Sequence, residues 1–354
     1  MAVILYGVAG EGFGHATRSK ALLDDLTQHH EVHILAGGKA NTYLSKHFKN
    51  IHHCPSLRLA YLNNSIVNIE TAFINVKKLP GIIGSLWRTF WLIKRIRPDL
   101  IITDFHFQSA WLGWLSRSPV LSIDNEHAVV KTLASYSSID WWSRFRTLVV
   151  CKLIVPSAKA YCITSFFFPP VKGKRTVLCG PILRKKIISL KPTKGSHILV
   201  YQTSRTNKKL LQALLQVPDE KFVIYGFEKE KKEGNCTFKK FNEDAFFSDL
   251  ASCKALISNG GYSLLSEALY LKKPVLSIPI NKMFEQTLNA YQVQYLQFGW
   301  MAREASKSTI IGFLAFADNG LFKTPDLKPG NTICLNEINR ILNSNGTVSH
   351  SKPL

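Results

Sequence analysis

Twice along this chain, short apolar runs alternate with segments of helical period, and this rhythm narrows the fold more than any other feature. In the first half the runs are 3–8, 32–36 (VHILA), 100–103 (LIIT) and 119–123 (PVLSI), with helical patterns at 14–29 and 82–96. The second half has HILVYQ at 197–202, KFVIYG at 221–226, KALIS at 254–258 and PVLSIP at 274–279. Its helical patterns fall at 206–216, 244–252, 262–271 and 284–298. Strands so continuously apolar are buried on both faces, as in parallel sheets covered by helices. Between the two rhythms lies LCGPILRKKIISLKPTKGS, rich in Pro, Gly and Lys, which reads as a linker. The expected architecture is α/β, with two doubly wound domains facing across a cleft. The expected division is 1–185 for the first domain, 186–195 for the linker, 196–330 for the second domain, and 331–354 for a C-terminal helix and tail. At 354 residues and 46% hydrophobic content, each domain has material for a core of its own. Ligands of such sheets sit beyond the carboxyl ends of the strands, so the cleft is the place to look for function.

The first strand runs into GEGFGHATRS, in which Gly10, Gly12 and Gly14 alternate and His15 follows at once. A glycine-rich turn between strand and helix lets a ligand approach the backbone near a helix N-terminus. The spacing is G-x-G-x-G rather than the dinucleotide fingerprint G-x-G-x-x-G, and no acidic residue ends the second strand. A dehydrogenase is therefore disfavoured. His15 titrates in the range a general base needs. Asp104, at the end of a strand in PDLIITDFH, and Glu126-His127, after a strand in SIDNEHAV, are the rival bases.

The densest chemistry is at 258–290, SNGGYSLLSEALYLKKPVLSIPINKMFEQTLNA. A strand ends at Ser258, and Asn259, Gly260 and Gly261 turn into a helix that carries Tyr262, Ser263 and Glu267. After the next strand a loop delivers Glu285, Gln286 and Asn289. Backbone N–H groups at the Gly-Gly turn suit a diphosphate. A carboxylate one to two turns further on can accept hydrogen bonds from two vicinal ribose hydroxyls. Taken singly, the glycines would be a plain turn and Glu267 a solvated carboxylate; it is the order of the whole set that carries meaning.

This stretch resembles the nucleotide-sugar signature of GT-B glycosyltransferases, whose two domains are Rossmann-like, and in particular the branch with the UDP-N-acetylglucosamine transferase of peptidoglycan synthesis. It is also similar to the plant glucosyltransferase signature. The resemblance implies that Glu267 binds ribose, that Gly261, Tyr262 and Ser263 contact the diphosphate, that Glu285 with Gln286 holds the donor sugar, and that Asn259, Gly260 and Asn289 belong to the same donor site. Three positions depart from the plant pattern: Asn259 replaces a phosphate-binding His, Leu264 a Ser, and Glu285 an Asp. GEGFGHATRS looks like the acceptor loop of related bacterial and archaeal transferases, which implies that Gly10, Gly12, Gly14 and His15 meet the acceptor. The resemblance implies transfer of a sugar from a nucleotide diphosphate, UDP above all, to a hydroxyl acceptor with inversion. No Asp-x-Asp metal motif occurs, so the expectation is no metal and no cofactor beyond the donor. A UDP-sugar epimerase of the same fold is the competing reading.

The net charge of +21 calls for an anionic partner. The stretch 128–186 has eleven basic residues and Asp140 as its one acid. In 84–98, GSLWRTFWLIKRIRP, Trp87, Phe90 and Trp91 interleave with Arg88, Lys94, Arg95 and Arg97, and 139–159 repeats the mixture. Aromatic rings among bases are what a helix lying on anionic lipid needs, so Trp87, Trp91, Lys94 and Arg95 are expected at a membrane surface. A nucleic-acid-binding protein would explain the charge but leaves Glu267, Glu285 and Gln286 without work, and no recognition motif supports it. The chain has no apolar run long enough to span a bilayer and begins without a signal segment; its seven cysteines lack a C-x-x-C pair. The expected location is the cytoplasm, peripheral on the inner face of the membrane, with a glycan or lipid-linked acceptor.

Overall fold

The computed structural model describes all residues except 58, 135–140, 204–206 and 347–354. The beginnings of two expected segments, 139–159 and 206–216, and the end of the expected C-terminal tail therefore lie outside the described residues. The first sheet is built from β1 (Val3–Val8), β2 (Glu31–Ala36), β3 (Ile51–His53) and, after a hairpin of β4 (Tyr61–Leu62) and β5 (Ser65–Ile66), from β6 (Leu100–Asp104), β7 (Val120–Asp124), β8 (Ala160–Thr164) and β9 (Thr176–Cys179). Its order is β3-β2-β1-β6-β7-β8-β9, parallel throughout. Helices α1 (Gly14–His29), α2 (Gly38–Leu44), α3 (Asn68–Val76), α4 (Leu79–Ile96), α5 (Phe107–Leu115), α6 (Ala128–Lys131) and α7 (Trp141–Ile154) connect and cover these strands.

After α8 (Lys185–Ser189) the second sheet takes β10 (His197–Tyr201), β11 (Lys221–Tyr225), β12 (Lys231–Glu233), β13 (Cys236–Phe238), β14 (Ala255–Ser258), β15 (Val275–Ser277) and β16 (Gly299–Met301). They lie in the order β12-β13-β11-β10-β14-β15-β16, parallel except for β12 against β13. Its helices are α9 (Lys208–Leu215), α10 (Glu243–Ser252), α11 (Tyr262–Tyr270), α12 (Phe284–Tyr295) and α13 (Lys307–Asp318). The last helix, α14 (Asn331–Gly346), returns to the first sheet, where Cys334, Ile338 and Ile341 join the core beneath β1 and β2.

The apolar strands bury as their composition requires: every residue of β6, β7 and β8 is buried. All seven cysteines are buried and none is in a disulfide. The hairpin crosses between the two halves. Asn63 and Asn64 make its turn with φ of 46° and 56°, a conformation asparagine tolerates. Asn281 then donates its N–H to the Asn64 carbonyl at 2.8 Å, tying the hairpin to the second half. On one side of the first sheet α5 packs between α4 and α7, and the Trp111 indole donates to the Leu153 carbonyl at 2.7 Å. This layer exposes Trp87 and Trp91 from α4, Trp114 from α5, and Trp141 and Trp142 from α7.

Candidate active site

β1 and β6 pair in register to their last residues, Val8 beside Asp104, so the glycine loop and Asp104 leave the sheet together. The loop runs close to its neighbours: a Cβ on Gly10 would lie 2.6 Å from the Gly37 carbonyl oxygen, and Gly12 has φ of +76°. In α1, His15, Arg18 and Ser19 fall on one face by helical spacing, and all three turn toward Asp104. Asp104, fully buried, accepts from His15 Nδ1 at 2.8 Å, Arg18 Nε at 3.1 Å and Ser19 Oγ at 2.9 Å. The Nδ1–H bond fixes the imidazole tautomer and leaves Nε2 directed at Glu126, 3.4 Å from its Oε1. Arg18 also donates to Asn125 Oδ1 at 2.5 Å.

The charges of this cluster set one another. Burial opposes ionisation of Asp104, yet Arg18 and His15 outweigh it and hold the carboxyl down at about 2. Burial likewise disfavours the His15 imidazolium, but Asp104 and Glu126 together raise it to about 9. Glu126 is pushed up to about 8, by burial first and with Glu285 adding repulsion. His15, Asp104 and Glu126 are close enough to share a metal ion by donor type, but the Arg18 guanidinium already supplies a cation to that cluster.

From the second sheet, β14 ends at Ser258 and the turn follows. Gly260 has φ of +89°, and a Cβ there would sit 2.7 Å from Ser277 Oγ, so both conformation and space demand glycine. A Cβ on Gly261 would meet nothing within 4 Å, which leaves the start of α11 open. Ser263 Oγ donates to the Gly14 carbonyl at 3.0 Å, so the N-termini of α1 and α11 meet across the cleft. Their positive ends together make a site for a dianion. The cavity here is about 740 Å³, and His15, Asn259, Gly261, Ser263, Glu267 and Glu285 are among its walls.

Glu267 is held in a fork by Arg184, with Nε to Oε1 at 2.9 Å and Nη2 to Oε2 at 2.8 Å. Burial nonetheless raises its pKa, Arg184 opposing and Glu243 adding to the rise. Arg184 also donates to Glu243 at 2.7 Å, and Glu243 accepts from Tyr43 OH at 3.1 Å, which carries the network across to α2. Glu285 accepts from Asn125 Nδ2 at 3.1 Å, a second polar bridge between the halves.

Of the expected site residues, His127 and Asn289 lie outside the cavity walls, and three others line the cavity but spend their polar groups on the scaffold. His127 is buried with Nδ1 2.7 Å from Asp124 Oδ2 and packs against Tyr161, outside the cavity walls; of the pair after β7 it is Glu126 that faces His15. Asn289 donates to the Gly260 carbonyl at 3.1 Å and braces the turn from behind. Gln286 lines the cavity, but its Oε1 accepts from the Ile280 N–H at 3.0 Å. Asn259 donates to Asn64, Gln202 and the Ile278 carbonyl, and Tyr262 OH bonds Thr164 at 2.8 Å. These three positions reach the cavity with the polar ends of their side chains already engaged. Trp87, Trp91, Lys94 and Arg95 are exposed on α4, as the sequence requires of a surface contact. Arg18 and Arg184 were not singled out in the sequence. Arg18 stands three residues after His15, a helical neighbour, whereas nothing in the linker distinguishes Arg184.

The profile described as glycosyl transferase family 1 matches residues 2–316. An uncharacterized glycosyltransferase of Methanosarcina mazei is 25% identical in an alignment 341 residues long that covers 87% of each chain. Another, of Methanosarcina acetivorans, is 24% identical in an alignment 339 residues long, again covering 87% of each chain. Among solved structures, the calicheamicin glycosyltransferase is similar over 100% of both chains with a TM-score of 0.62 at 14% identity. MurG of Acinetobacter baumannii is similar over 90% of both chains, with a TM-score of 0.55 at 16% identity. The two sheets, their parallel order and the cleft between them are thus the GT-B architecture. With nearly its whole length matched, the chain belongs to glycosyl transferase family 1, and it is a glycosyltransferase.

Proposed function

We propose that the protein moves a sugar from a nucleotide diphosphate, UDP-linked, to a hydroxyl of a lipid-linked or cell-envelope glycan, with inversion. The observation that carries this reading is the meeting of the α1 and α11 N-termini directly beside the His15–Asp104 pair. A diphosphate at those termini would leave with its charge stabilised by aligned N–H groups. The acceptor oxygen forms its bond to the anomeric carbon from the opposite side while the bond to the diphosphate oxygen breaks. The hydroxyl proton passes to His15 Nε2, and Asp104 stabilises the resulting imidazolium. Glu267, kept in place by Arg184, is the ribose acceptor, and Glu285 faces the sugar. Negative charge on the leaving group is met by the helix termini and by Arg18 and Arg184, so no metal is required in this scheme.

The lipid part of the reading rests on the exposed layer of α4, α5 and α7. Five of the seven tryptophans in the chain are exposed there, and Lys94 and Arg95 stand at the end of α4. Large amphipathic rings with bases suit a headgroup region, and no described helix is long and apolar enough to cross the membrane. We place the protein on the cytoplasmic face as a peripheral enzyme. The test is a screen of UDP-sugars read by UDP release, with and without membrane lipid extract. Release that requires both one UDP-sugar and the extract supports the reading. Conversion of the UDP-sugar without any acceptor and without UDP release would replace it with the epimerase.

A further inference from the structure

At the end of α7 away from its tryptophans, the chain gathers a second group of cations. Residues 131–133 pair antiparallel with 170–172: Lys172 N–H donates to the Lys131 carbonyl at 2.6 Å, and Leu133 N–H to the Pro170 carbonyl at 2.8 Å. The pairing sets Lys131 beside Lys172, and a turn at Gly173, φ +82°, carries Lys174 and Arg175 past the same edge. Lys131 extends over the Tyr161 ring with its ammonium 4.1 Å from the centroid. Its pKa is lowered by partial burial and by the charges of Arg175 and Lys152, which identifies those two as its neighbours. Lys152, Lys172, Lys174 and Arg175 are exposed. Among the described residues, none of the five cations makes an ion pair and no acid acts on Lys131.

Like charges crowded in this way repel one another and leave a positive potential that an anionic partner would relieve. The apolar side chains among them decide what kind of partner. Leu133, Phe168 and Val171 are exposed beside the cations, and α7 adds Leu153. The aliphatic members, Leu133, Val171 and Leu153, gain nothing from a nucleic-acid backbone, but they can enter the acyl boundary while the bases stay with the headgroups. We propose that Lys131, Lys152, Lys172, Lys174 and Arg175 form a second lipid-binding site, which takes the anionic headgroups of a bilayer. It rests on the membrane reading above and deepens it: α4 and this cluster grip the surface at two ends of one layer.

The test is flotation of the full chain with vesicles of phosphatidylcholine alone or mixed with phosphatidylglycerol, at low and high salt. The variant carries Lys152→Gln, Lys172→Gln, Lys174→Gln and Arg175→Gln, all at exposed positions, and unchanged UDP affinity by calorimetry certifies its fold. At about fivefold per cation near the surface, the four changes should lower partition to the mixed vesicles several hundredfold at low salt. Partition to phosphatidylcholine alone should stay weak for both proteins. If wild type floats and the variant floats equally, the cluster is not a lipid site, while the α4 contact stands. If wild type floats with neither vesicle, both lipid readings fall. Binding of single-stranded RNA by wild type but not by the variant, with no vesicle binding, would reassign the cluster to nucleic acid and overturn the proposal.

Discussion

Replacing Glu126 with glutamine removes one of the two carboxylates that keep His15 charged, while the volume and a polar end remain. His15 is raised to about 9, with Asp104 the stronger and Glu126 the weaker of the opposing carboxylates against burial. A base must be neutral at Nε2 before it can take a proton. Transfer should therefore be slow below that value and climb as pH rises through it. The separation of His15 Nε2 and Glu126 Oε1 is 3.4 Å. At that distance a unit pair is worth ~1 kcal/mol in a water-like medium and ~5 kcal/mol at an effective dielectric of ~20. With about 1.36 kcal/mol per pKa unit, the loss of Glu126 would move His15 down by about one to nearly four units. Glu126, itself pushed up to about 8, is mostly ionised where His15 titrates, so the smaller figure is the least shift to expect. The assay is the initial rate of UDP release at saturating donor, from neutral to alkaline pH, for both proteins. Glu126→Gln should shift the rising limb to lower pH by at least about one unit and be the faster enzyme at neutral pH. A limb that does not move would show that His15 is not the titrating base. Activity lost at every pH would transfer that role to Glu126.

Three further outcomes follow from the same geometry. Glu267→Gln should weaken UDP binding by about 10- to 100-fold in calorimetry, since a hydrogen bond to a charged group is worth roughly 1.5–3 kcal/mol; equal affinity would remove Glu267 from the donor site. Asp104→Asn leaves the buried Arg18 guanidinium without its carboxylate, so denaturant unfolding should show a loss of about 3–5 kcal/mol, and a loss under 1 kcal/mol would mean that Asn125 and Glu126 suffice as partners. Joint replacement of Trp87, Trp91, Lys94 and Arg95 should reduce partition to anionic vesicles at least about 30-fold from the two cations alone, and salt should shrink the difference.

What the sequence reveals of this protein follows the range of the interactions involved. The helix expected at 14–29 has those bounds in the structure, and the strands expected at 100–103 and 197–202 differ from β6 and β10 by one residue. Local periodicity and burial on both faces determine such elements without help from distant residues. The strands that escape notice are β3, β12, β13 and β16, three residues each, the two-residue β4 and β5, and β8 and β9. The short ones lie at or near sheet edges, where half-exposed residues such as His53 and Lys231 blur the apolar run. Edge pairing is decided by the neighbour already in place rather than by the strand's own composition.

The site divides along the same line. Glycine at 260 is legible because a positive φ and a 2.7 Å contact both exclude a Cβ, and the turn's place between strand and helix announces it. A linear motif can say that Asn259, Gln286 and Asn289 stand near a donor, but not that their amides bind Asn64, the Ile280 N–H and the Gly260 carbonyl. Adjacent residues after a strand point different ways, so Glu126 and His127 could not be ranked until the fold turned one toward His15 and the other toward Asp124. Arg184 reaches Glu267 across 83 residues, and its fork exists only when the linker, α10 and α11 are assembled. Its guanidinium lowers the pKa of a carboxyl group that burial alone would push further toward the neutral form. A neutral Glu267 could accept less readily from two ribose hydroxyls. In the proposed scheme the readiness of Glu267 therefore depends on one arginine whose position no local pattern encodes, since Arg184 reaches it only when both halves are assembled.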